Sequence, residues 1–472
     1  MHTSAPSGKR TSALWHPCTQ MYQHDAHPVP RIARAKGAYL YLDNGQPVLD
    51  GISSWWVNLH GHSHPAINAA ITDQLEQFEQ VILAGFTHSP IEQLAQQLVA
   101  LTALPLTRCF FADSGSAAVE VALKMSLQFW QQTAGHQTTS HQSVQPKRNT
   151  FISLENGYHG ETLGSLSVTD IALFSSQYRP LLIQHLRAPT PDLSCKQHDQ
   201  SDEEFLLQRF NQLKALVEQH QDRICAIIVE PLVQGAAGMK MYPPVYLTWL
   251  RQLCDEYQIH LILDEIAVGF GRTGTLFAHE QANIYPDFLC LSKGLTAGYL
   301  PMSCVMTTDE VYQAFYSPDI AKGFLHSHSF TGNPLAARAA LASLAIFEQE
   351  NTLQKNQQHI AQFNHQLAKL SQHPNVANCR QTGMIAAFDL VQSDGQPYPA
   401  IQQRGRLMAQ FALQHGLLIR PIGNHVYFIP PYCITADEIE QMFDIARRAI
   451  EWAVLQDVPS VDASVHAAFN LP

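Results

Sequence analysis

The chain has 472 residues, of which 46% are hydrophobic, and its formal net charge is -11. A chain of this length can bury a large core and is expected to form two or more domains. Its acidic balance excludes a strong nucleic-acid surface, because phosphate backbones require clustered Lys and Arg.

Targeting and redox signals are weak in this sequence. Residues 1–12 are polar and lack the apolar core of a secretory signal, and no apolar run approaches membrane-spanning length. The nine cysteines are scattered without a Cys-x-x-Cys pair, which argues against a disulfide framework or a zinc site. We therefore expect a cytoplasmic protein with reduced thiols and no membrane partner.

The pattern of apolar runs predicts an α/β core followed by a smaller domain. Between about residues 100 and 345, short apolar runs alternate with helical patterns, as in a mostly parallel sheet with crossover helices. Strands are predicted at residues 108–112, 150–154, 225–229, 260–263, 288–291 and 303–307. Surface loops are predicted at 131–148 and 188–204, where polar residues dominate. After residue 351 we expect a Gln-rich helix, short strands at 384–390 and 417–421, and a last amphipathic helix.

Two of the predicted strands end in residues with reactive side chains. One apolar run delivers Asp264, and another delivers Lys293 followed by Gly294. Ligand sites in α/β sheets lie at such strand ends. An amine and a carboxylate placed there suit pyridoxal 5′-phosphate, which needs a lysine for the Schiff base and a carboxylate to keep its ring nitrogen protonated. Most lysines and aspartates are solvated or paired charges, but here both end apolar strands in the right order.

A phosphate-binding segment and an aromatic platform are also predicted. Gly115 and Ser116 follow a strand and open an amphipathic helix, where free N–H groups and the Ser116 hydroxyl could hold an anion. An ordinary helix cap would look the same. Tyr158, between Gly157 and Gly160, could lie flat on the pyridine ring, although a core tyrosine is the usual alternative.

Two other motifs are weaker. Residues 269–274 match the G-x-G-x-x-G dinucleotide pattern, but no amphipathic helix follows, so an NAD-dependent dehydrogenase is only a distant alternative. The histidine clusters at residues 60–64 and 326–328 lack carboxylate or cysteine partners nearby in sequence. We therefore predict loop packing and hydrogen bonding there, and no metal.

The block formed by Asp264, Glu265, residues 269–274 and Lys293 resembles the class III aminotransferases, and the resemblance covers nearly the whole chain. It implies an α/β fold of fold type I, the aspartate aminotransferase-like architecture of PLP-dependent transferases. A large PLP-binding domain would cover residues 71–350 with a mostly parallel sheet. A smaller α+β domain would combine residues 1–70 with residues 351–472, and the enzyme would be a homodimer with shared active sites.

The resemblance also assigns roles. It implies that Lys293 carries the cofactor and acts as the base, that Asp264 pairs with the ring nitrogen and that Tyr158 stacks on the ring. Further cofactor and substrate contacts are implied for two groups of residues. The cofactor group adds Gly115, Ser116, His159 and, reaching the neighbouring subunit's phosphate, Ser329. The substrate group adds Trp55, Ser327, Tyr427 and Arg420.

Arg420 is expected to bind a substrate carboxylate through two parallel hydrogen bonds. Because it lies between Ile419 and Pro421, we expect its side chain to point inward; a surface ion pair would be worth little. The aromatic faces of Trp55 and Trp56 could meet a substrate cation.

Within the class, residues 15–21, 50–56 and 420–427 are similar to members that transfer an amino group from S-adenosylmethionine to 8-amino-7-oxononanoate. Another ω-amino-acid transaminase, of the ornithine or 4-aminobutyrate type, is the alternative, and lysine is an alternative donor. A cofactor-binding module without catalysis would have no need for a base and a pocket arginine. Cys18 replaces a tyrosine of well-known members, with Tyr22 as a candidate substitute, and Glu161 stands where some carry Asp.

Overall fold

The computed structural model describes residues 13–22, 24, 29–102, 105–133 and 148–456. The polar start at residues 1–12 and most of the predicted loop at 131–148 lie outside these ranges. Within them, no helix combines the length and the apolar character needed to cross a membrane.

The strands agree closely with the predicted ones. All six strands predicted in the core are present, each within two residues of the expected bounds. In chain order the strands are β1 Ile32–Lys36, β2 Tyr39–Leu42, β3 Pro47–Asp50, β4 Leu106–Ala112, β5 Thr150–Leu154, β6 Leu186–Ala188, β7 Ile224–Val229, β8 Val233–Gln234, β9 Lys240–Met241, β10 His260–Asp264, β11 Phe288–Leu291, β12 Ser303–Thr308, β13 Val376–Thr382, β14 Ile385–Leu390, β15 Leu417–Leu418 and β16 His425–Phe428.

The helices follow the amphipathic patterns of the sequence. They are α1 Pro65–Leu75, α2 Ser89–Thr102, α3 Gly115–Thr133, α4 Leu163–Val168, α5 Ala172–Ser175, α6 Asp202–His220, α7 Val245–Glu256, α8 Asp309–Phe315, α9 Pro334–Gln349, α10 Thr352–Leu370, α11 Arg404–Gln414 and α12 Ala436–Val454. The last of these shows why they form. Thr435 and Glu438 cap its first turn reciprocally, and Ile439, Phe443 and Ile450 bury one face.

The described strands include a central sheet in the order β4-β12-β11-β10-β7-β5-β6. β7, β10 and β11 pair in parallel, as do β5 with β6 and β7. β12 runs against both of its neighbours. The prediction of a mostly parallel sheet is therefore confirmed, and the carboxyl ends of β4, β5, β7, β10 and β11 meet at one edge.

Smaller sheets join distant parts of the chain. β15 pairs in parallel with β3, which brings residues 417–418 beside residues 49–50. β13, β14 and β16 form an antiparallel sheet. The domain division at residues 70 and 350 stays a prediction.

Two predicted segments were wrong in detail. The strand expected at 417–421 ends at Leu418, because the chain then turns so that Ile422 and His425 pair across a tight loop. The supposed surface loop at 188–204 contains buried Thr190 and Asp192. The Asp192 carboxylate pairs with Lys240 at 3.1 Å, which satisfies its charge inside the fold.

Candidate active site

Lys293 follows β11 at the edge where the strand ends meet. Its Nζ lies 4.4 Å from the centre of the Trp56 ring, a cation–π contact. Burial lowers the pKa of the Lys293 amine to about 8, while the nearby Asp264 and Glu230 carboxylates oppose this shift and Arg272 adds to it. A larger fraction of this amine is therefore neutral near pH 7 than of an exposed lysine.

We expect this lowered pKa to be visible in the capture of pyridoxal phosphate by cofactor-free protein. The neutral amine is the nucleophile, so the capture rate should rise with pH below about 8 and level off above it. Stopped-flow absorbance measures the rate, and N-acetyl-lysine at the same pH corrects for titration of the cofactor itself. A midpoint near the ordinary lysine value would contradict the assignment.

Asp264, the last residue of β10, is buried. Its Oδ2 lies 2.8 Å from Nδ1 of His159, and its Oδ1 accepts the N–H of Ile266 at 3.1 Å. The other ring nitrogen of His159, Nε2, is buried and has no hydrogen-bond partner in the described chain. Asp264 and His159 thus form a pair that could face a polar ligand.

Glu230 is a site residue that the sequence analysis missed. Its carboxylate accepts the N–H groups of Tyr158 and Gly235, both at 2.9 Å. Burial is the main cause that raises the pKa of Glu230 to about 7. A signal was present, since Glu230 directly follows the apolar run of β7 as Asp264 ends β10.

Tyr158 lies at the same edge, half-buried between the segment after β5 and the site. Its hydroxyl donates to Glu161 at 2.9 Å, and its ring contacts Phe174 edge-on at 5.4 Å. Burial, followed by the charge of Glu161, raises the pKa of the Tyr158 hydroxyl. Tyr158 is therefore a neutral hydrogen-bond donor held in a fixed orientation.

The start of α3 offers backbone donors. Ser114 caps the helix by accepting the N–H of Ala117 at 3.3 Å. The N–H groups of Gly115 and Ser116 come before that of Ala118, which donates the first helical hydrogen bond to the Ser114 carbonyl. A Cβ on Gly115 would come within 2.8 Å of Ile266, so only glycine fits there. This helix start is compatible with the predicted anion cradle.

The hydroxyl of Ser116, by contrast, is used inside the protein. Its Oγ accepts the N–H groups of Glu161 and Thr162 at 3.1 and 3.0 Å. It also bonds to the hydroxyls of Thr162 and Ser165. A hydroxyl has one donor and two acceptor positions, so the backbone N–H groups are better placed than this Oγ to bind an anion.

Residues 53–56 form a left-handed turn that carries both tryptophans. All four residues have positive φ, between 50° and 101°, which costs non-glycine residues roughly 1–2 kcal/mol each. Buried Asp50 offsets this cost, since its Oδ1 accepts the N–H groups of Ile52 and Ser54 and its Oδ2 accepts the Ser54 hydroxyl at 2.7 Å. The turn is thereby fixed although its sequence contains no glycine.

Arg420 lies against Trp55, with the guanidinium carbon 4.7 Å from the ring centre. Its Nη2 donates to the carbonyl oxygen of Cys18 at 2.9 Å. The prediction that it points inward was wrong: Arg420 is exposed, and Trp55 keeps 40% of its surface exposed. Tyr427 is buried against Trp56, with ring centres 5.8 Å apart, and burial raises its pKa to about 12.

Each tryptophan of the turn contacts a cation of the protein, Lys293 at Trp56 and Arg420 at Trp55. Their contact with a substrate cation stays a prediction. Cys18 lies close to Arg420 and Glu161, and partial desolvation with the Glu161 charge raises its thiol pKa. Tyr22 is 73% exposed.

Ser327 and Ser329 lie exposed on the segment before α9. The carbonyl of Ser329 accepts a hydrogen bond from Gln80 at 3.3 Å. His326 and His328 contact each other at 3.2 Å, and His328 pairs with Asp113 just before the helix that starts at Gly115.

The remaining motifs have structural contacts. In the 60–64 cluster, His60 bonds to Ser343 at 3.0 Å and His62 to Asp50 at 3.0 Å. The glycine-rich stretch at 269–274 leads into a 3-10 helix, Ala278–Ala282. Arg272, a buried residue of the glycine-rich stretch, donates to the carbonyls of Pro430 and Asn58.

These features fit pyridoxal phosphate. The partly buried Lys293, whose amine has a lowered pKa, could bind a carbonyl carbon, and Asp264 with His159 could hold a protonated ring nitrogen. The helix start at Gly115 could bind a phosphate. The orphaned Nε2 of His159 points to a polar group that the protein itself does not supply.

Comparisons with known proteins agree with this geometry. The family model described as Aminotransferase class-III matches residues 21–450. The adenosylmethionine-8-amino-7-oxononanoate aminotransferase of Helicobacter pylori is 44% identical over 437 residues, covering 91% of this chain and 93% of its own length.

Solved structures extend the likeness to three dimensions. The enzyme of the same name from Methanocaldococcus jannaschii superimposes with a TM-score of 0.86 at 36% identity, covering 94% of this chain and 98% of its own. A PLP-bound amine transaminase from an uncultivated Pseudomonas species gives 0.87 at 31% identity, with coverages of 94% and 99%. The predicted fold type I architecture is confirmed.

Proposed function

The chain belongs to the class III aminotransferases, and we propose that it transfers an amino group from S-adenosylmethionine to 8-amino-7-oxononanoate, giving 7,8-diaminononanoate for biotin synthesis. Pyridoxal 5′-phosphate is its cofactor. One feature of the site carries the proposal: aromatic side chains contact both the Lys293 amine, through Trp56 packed on Tyr427, and the Arg420 guanidinium, through Trp55. This suits a long apolar substrate with a carboxylate at one end.

The proposed mechanism assigns each step to a side chain. When bound, pyridoxal phosphate draws electrons away from the substrate carbon that bears the amine. The Lys293 amine removes the proton from that carbon in the first half-reaction and returns one in the second. Asp264 keeps the ring nitrogen protonated, and Tyr158 orients the ring. Both substrates use one site in turn, so ping-pong kinetics are expected.

The Arg420 guanidinium binds the carboxylate of 8-amino-7-oxononanoate in this proposal. It would exchange its bond to the Cys18 carbonyl for two bonds to the substrate. Trp55 keeps the guanidinium plane in place by stacking against it. Substrate binding therefore replaces a contact that already exists in the protein.

A second candidate is an ω-amine transaminase, which the likeness to the Pseudomonas amine transaminase favours. Mass spectrometry of products separates the two. We expect 7,8-diaminononanoate from 8-amino-7-oxononanoate with S-adenosylmethionine as donor. If 7,8-diaminononanoate forms with lysine but not with S-adenosylmethionine, lysine is the donor. If only ω-amines react, the proposed substrate is rejected.

We further propose a homodimer whose site is completed by Ser327 and Ser329 of the neighbouring subunit. Support comes from a patch that we call the apolar rim, which includes exposed Ile82, Phe86 and Phe330. Gln80 and Ser329 bond across it. Exposed large apolar side chains on two segments joined by a hydrogen bond fit a subunit interface. A cytoplasmic location stays a prediction.

Light scattering after size-exclusion chromatography tests the dimer. We expect twice the chain mass of 52.6 kDa for the native protein. Phe330→Asp places a charge in the apolar rim and should shift the population towards monomer. Tyr316→Asp, a substitution of an exposed aromatic that follows α8, is the control. A native monomer with full activity would contradict the proposal.

A further inference from the structure

We propose that Asp50 and His62 are positioning residues, which hold residues 53–56 in their left-handed turn and thereby keep the Trp56 ring against Lys293 and the Trp55 ring against Arg420. This deepens the proposed function and rests on it, because it concerns how the same site is held ready. Neither residue touches the reacting groups. Each acts through the turn.

The turn needs an external hold because its own sequence opposes it. Four consecutive non-glycine residues adopt positive φ, a conformation that these side chains rarely adopt. Neither Ser54 nor Trp55 has a buried side chain to fix it. Strain of this kind persists only where surrounding contacts enforce it, and it concentrates at functional sites.

Asp50 provides most of the enforcing contacts. Its side chain is fully buried, and it accepts three bonds from Ile52 and Ser54. The Ser53 hydroxyl adds one bond to the carbonyl of Ile429 at 2.7 Å. A carboxylate that accepts backbone N–H groups in a buried setting forms strong charge-assisted bonds, so its loss should release the turn.

His62 joins this hold to a second buried group. Its Nε2 lies 3.0 Å from Asp50 Oδ2, and its Nδ1 lies 3.2 Å from the side-chain amide nitrogen of Asn58. The backbone carbonyl of Asn58 in turn accepts a hydrogen bond from Arg272 at 2.9 Å. An imidazole that donates to Asp50 and accepts from Asn58 satisfies both contacts. His62 thereby links Asp50, which stabilises the turn, to Asn58 and Arg272.

The consequence reaches the two cations of the site. Trp56 is 5% exposed and lies across the Lys293 amine, so its ring shields one side of that amine from water. Gly235 packs so closely on the same ring that a Cβ there would come within 2.9 Å. Release of the turn would let water reach Lys293, whose charged neighbours are Asp264, Glu230 and Arg272.

The test compares Asp50→Ala with the native protein in two assays. The first is the pH midpoint for capture of pyridoxal phosphate by cofactor-free protein, which uses no amino donor or acceptor. We expect it to rise by about one unit or more as the amine becomes hydrated. The second is the KM for 8-amino-7-oxononanoate, expected to rise about 10- to 100-fold because Arg420 loses its support.

Two further variants separate positioning from general stability. Asp287→Ala removes a carboxylate that also accepts a backbone N–H and an arginine, but at the opposite end of β11 from Lys293. It should lower the melting temperature and leave the midpoint unchanged. When Ser54→Gly is added to Asp50→Ala, the pH midpoint and the KM should both move part of the way back to their native values. Glycine adopts positive φ without strain, so the turn then needs less support.

The proposal is overturned if Asp50→Ala lowers the melting temperature like Asp287→Ala but keeps the native midpoint and KM, or if Ser54→Gly restores nothing. Should Asp50→Ala fail to fold, Asp50→Asn replaces it. Asparagine retains the acceptor for the N–H groups of Ile52 and Ser54 but loses the one shared by the Ser54 hydroxyl and His62 Nε2, so a smaller shift in the same direction is expected. A native midpoint in a folded Asp50→Asn protein also rejects the role. If the native protein captures the cofactor but makes no diaminononanoate, the proposed function fails and the midpoint comparison stands.

Discussion

Lys293→Ala is expected to remove the visible absorbance of lysine-bound cofactor and to lower turnover by at least about 10⁴-fold, the upper range for loss of a general base. The reason is that one amine serves two purposes in the proposed mechanism, as the attachment point and as the base. No other lysine is placed at the strand ends of the described sheet edge. Absorbance spectra and single-turnover kinetics measure the two losses separately.

The matched control is Lys214→Ala. Lys214 lies on α6, where its ammonium is 3.5 Å from Glu256 in an exposed ion pair, and such pairs contribute little. The control should keep native absorbance and turnover. Yellow, active protein after substitution of Lys293 would remove the basis for the whole site assignment.

Arg420→Ala is expected to raise the KM for 8-amino-7-oxononanoate about 10- to 100-fold, corresponding to ~1.4–2.7 kcal/mol for lost hydrogen bonds to a charged group. The first half-reaction with the amino donor should change less, because the proposed contact is with the keto substrate. Steady-state kinetics with each substrate varied in turn provide the comparison.

Arg420→Lys distinguishes charge from shape. Lysine keeps the positive charge but lacks the planar pair of donors and the flat face that stacks on Trp55. We therefore expect an intermediate KM. Arg447→Ala, at an exposed pair with Asp444, should have no effect. An unchanged KM and kcat in Arg420→Ala would refute the carboxylate role.

The sheet and two of its candidate site residues could be predicted because their signals are local. Apolar runs of four to six residues form β7, β10 and β11, and a polar residue directly after such a run has to lie at the sheet edge. This rule found Asp264 and Lys293. The same rule applies to Glu230, which directly follows β7, but its bonds to the N–H groups of Tyr158 and Gly235 depend on tertiary contacts.

Other features depend on contacts between distant residues. The left-handed turn at 53–56 contradicts its own local preferences, and it exists because of tertiary bonds to Asp50 and Ile429. The hydroxyl of Ser116 looked free in sequence but is bonded to Thr162 and Ser165. Nothing in the neighbours of Arg420 reveals that the chain turns after Leu418 and leaves its side chain exposed against Trp55. Such outcomes require the packed structure.

The most direct test of the central claim is the visible spectrum of the purified protein with one substrate at a time. We expect a band from cofactor bound to Lys293, its loss on addition of S-adenosylmethionine alone, and its return on addition of 8-amino-7-oxononanoate. A band that ignores S-adenosylmethionine would leave the transaminase assignment intact and reject the donor. Absence of any band, even after cofactor is added, would contradict the claim that Lys293 carries it.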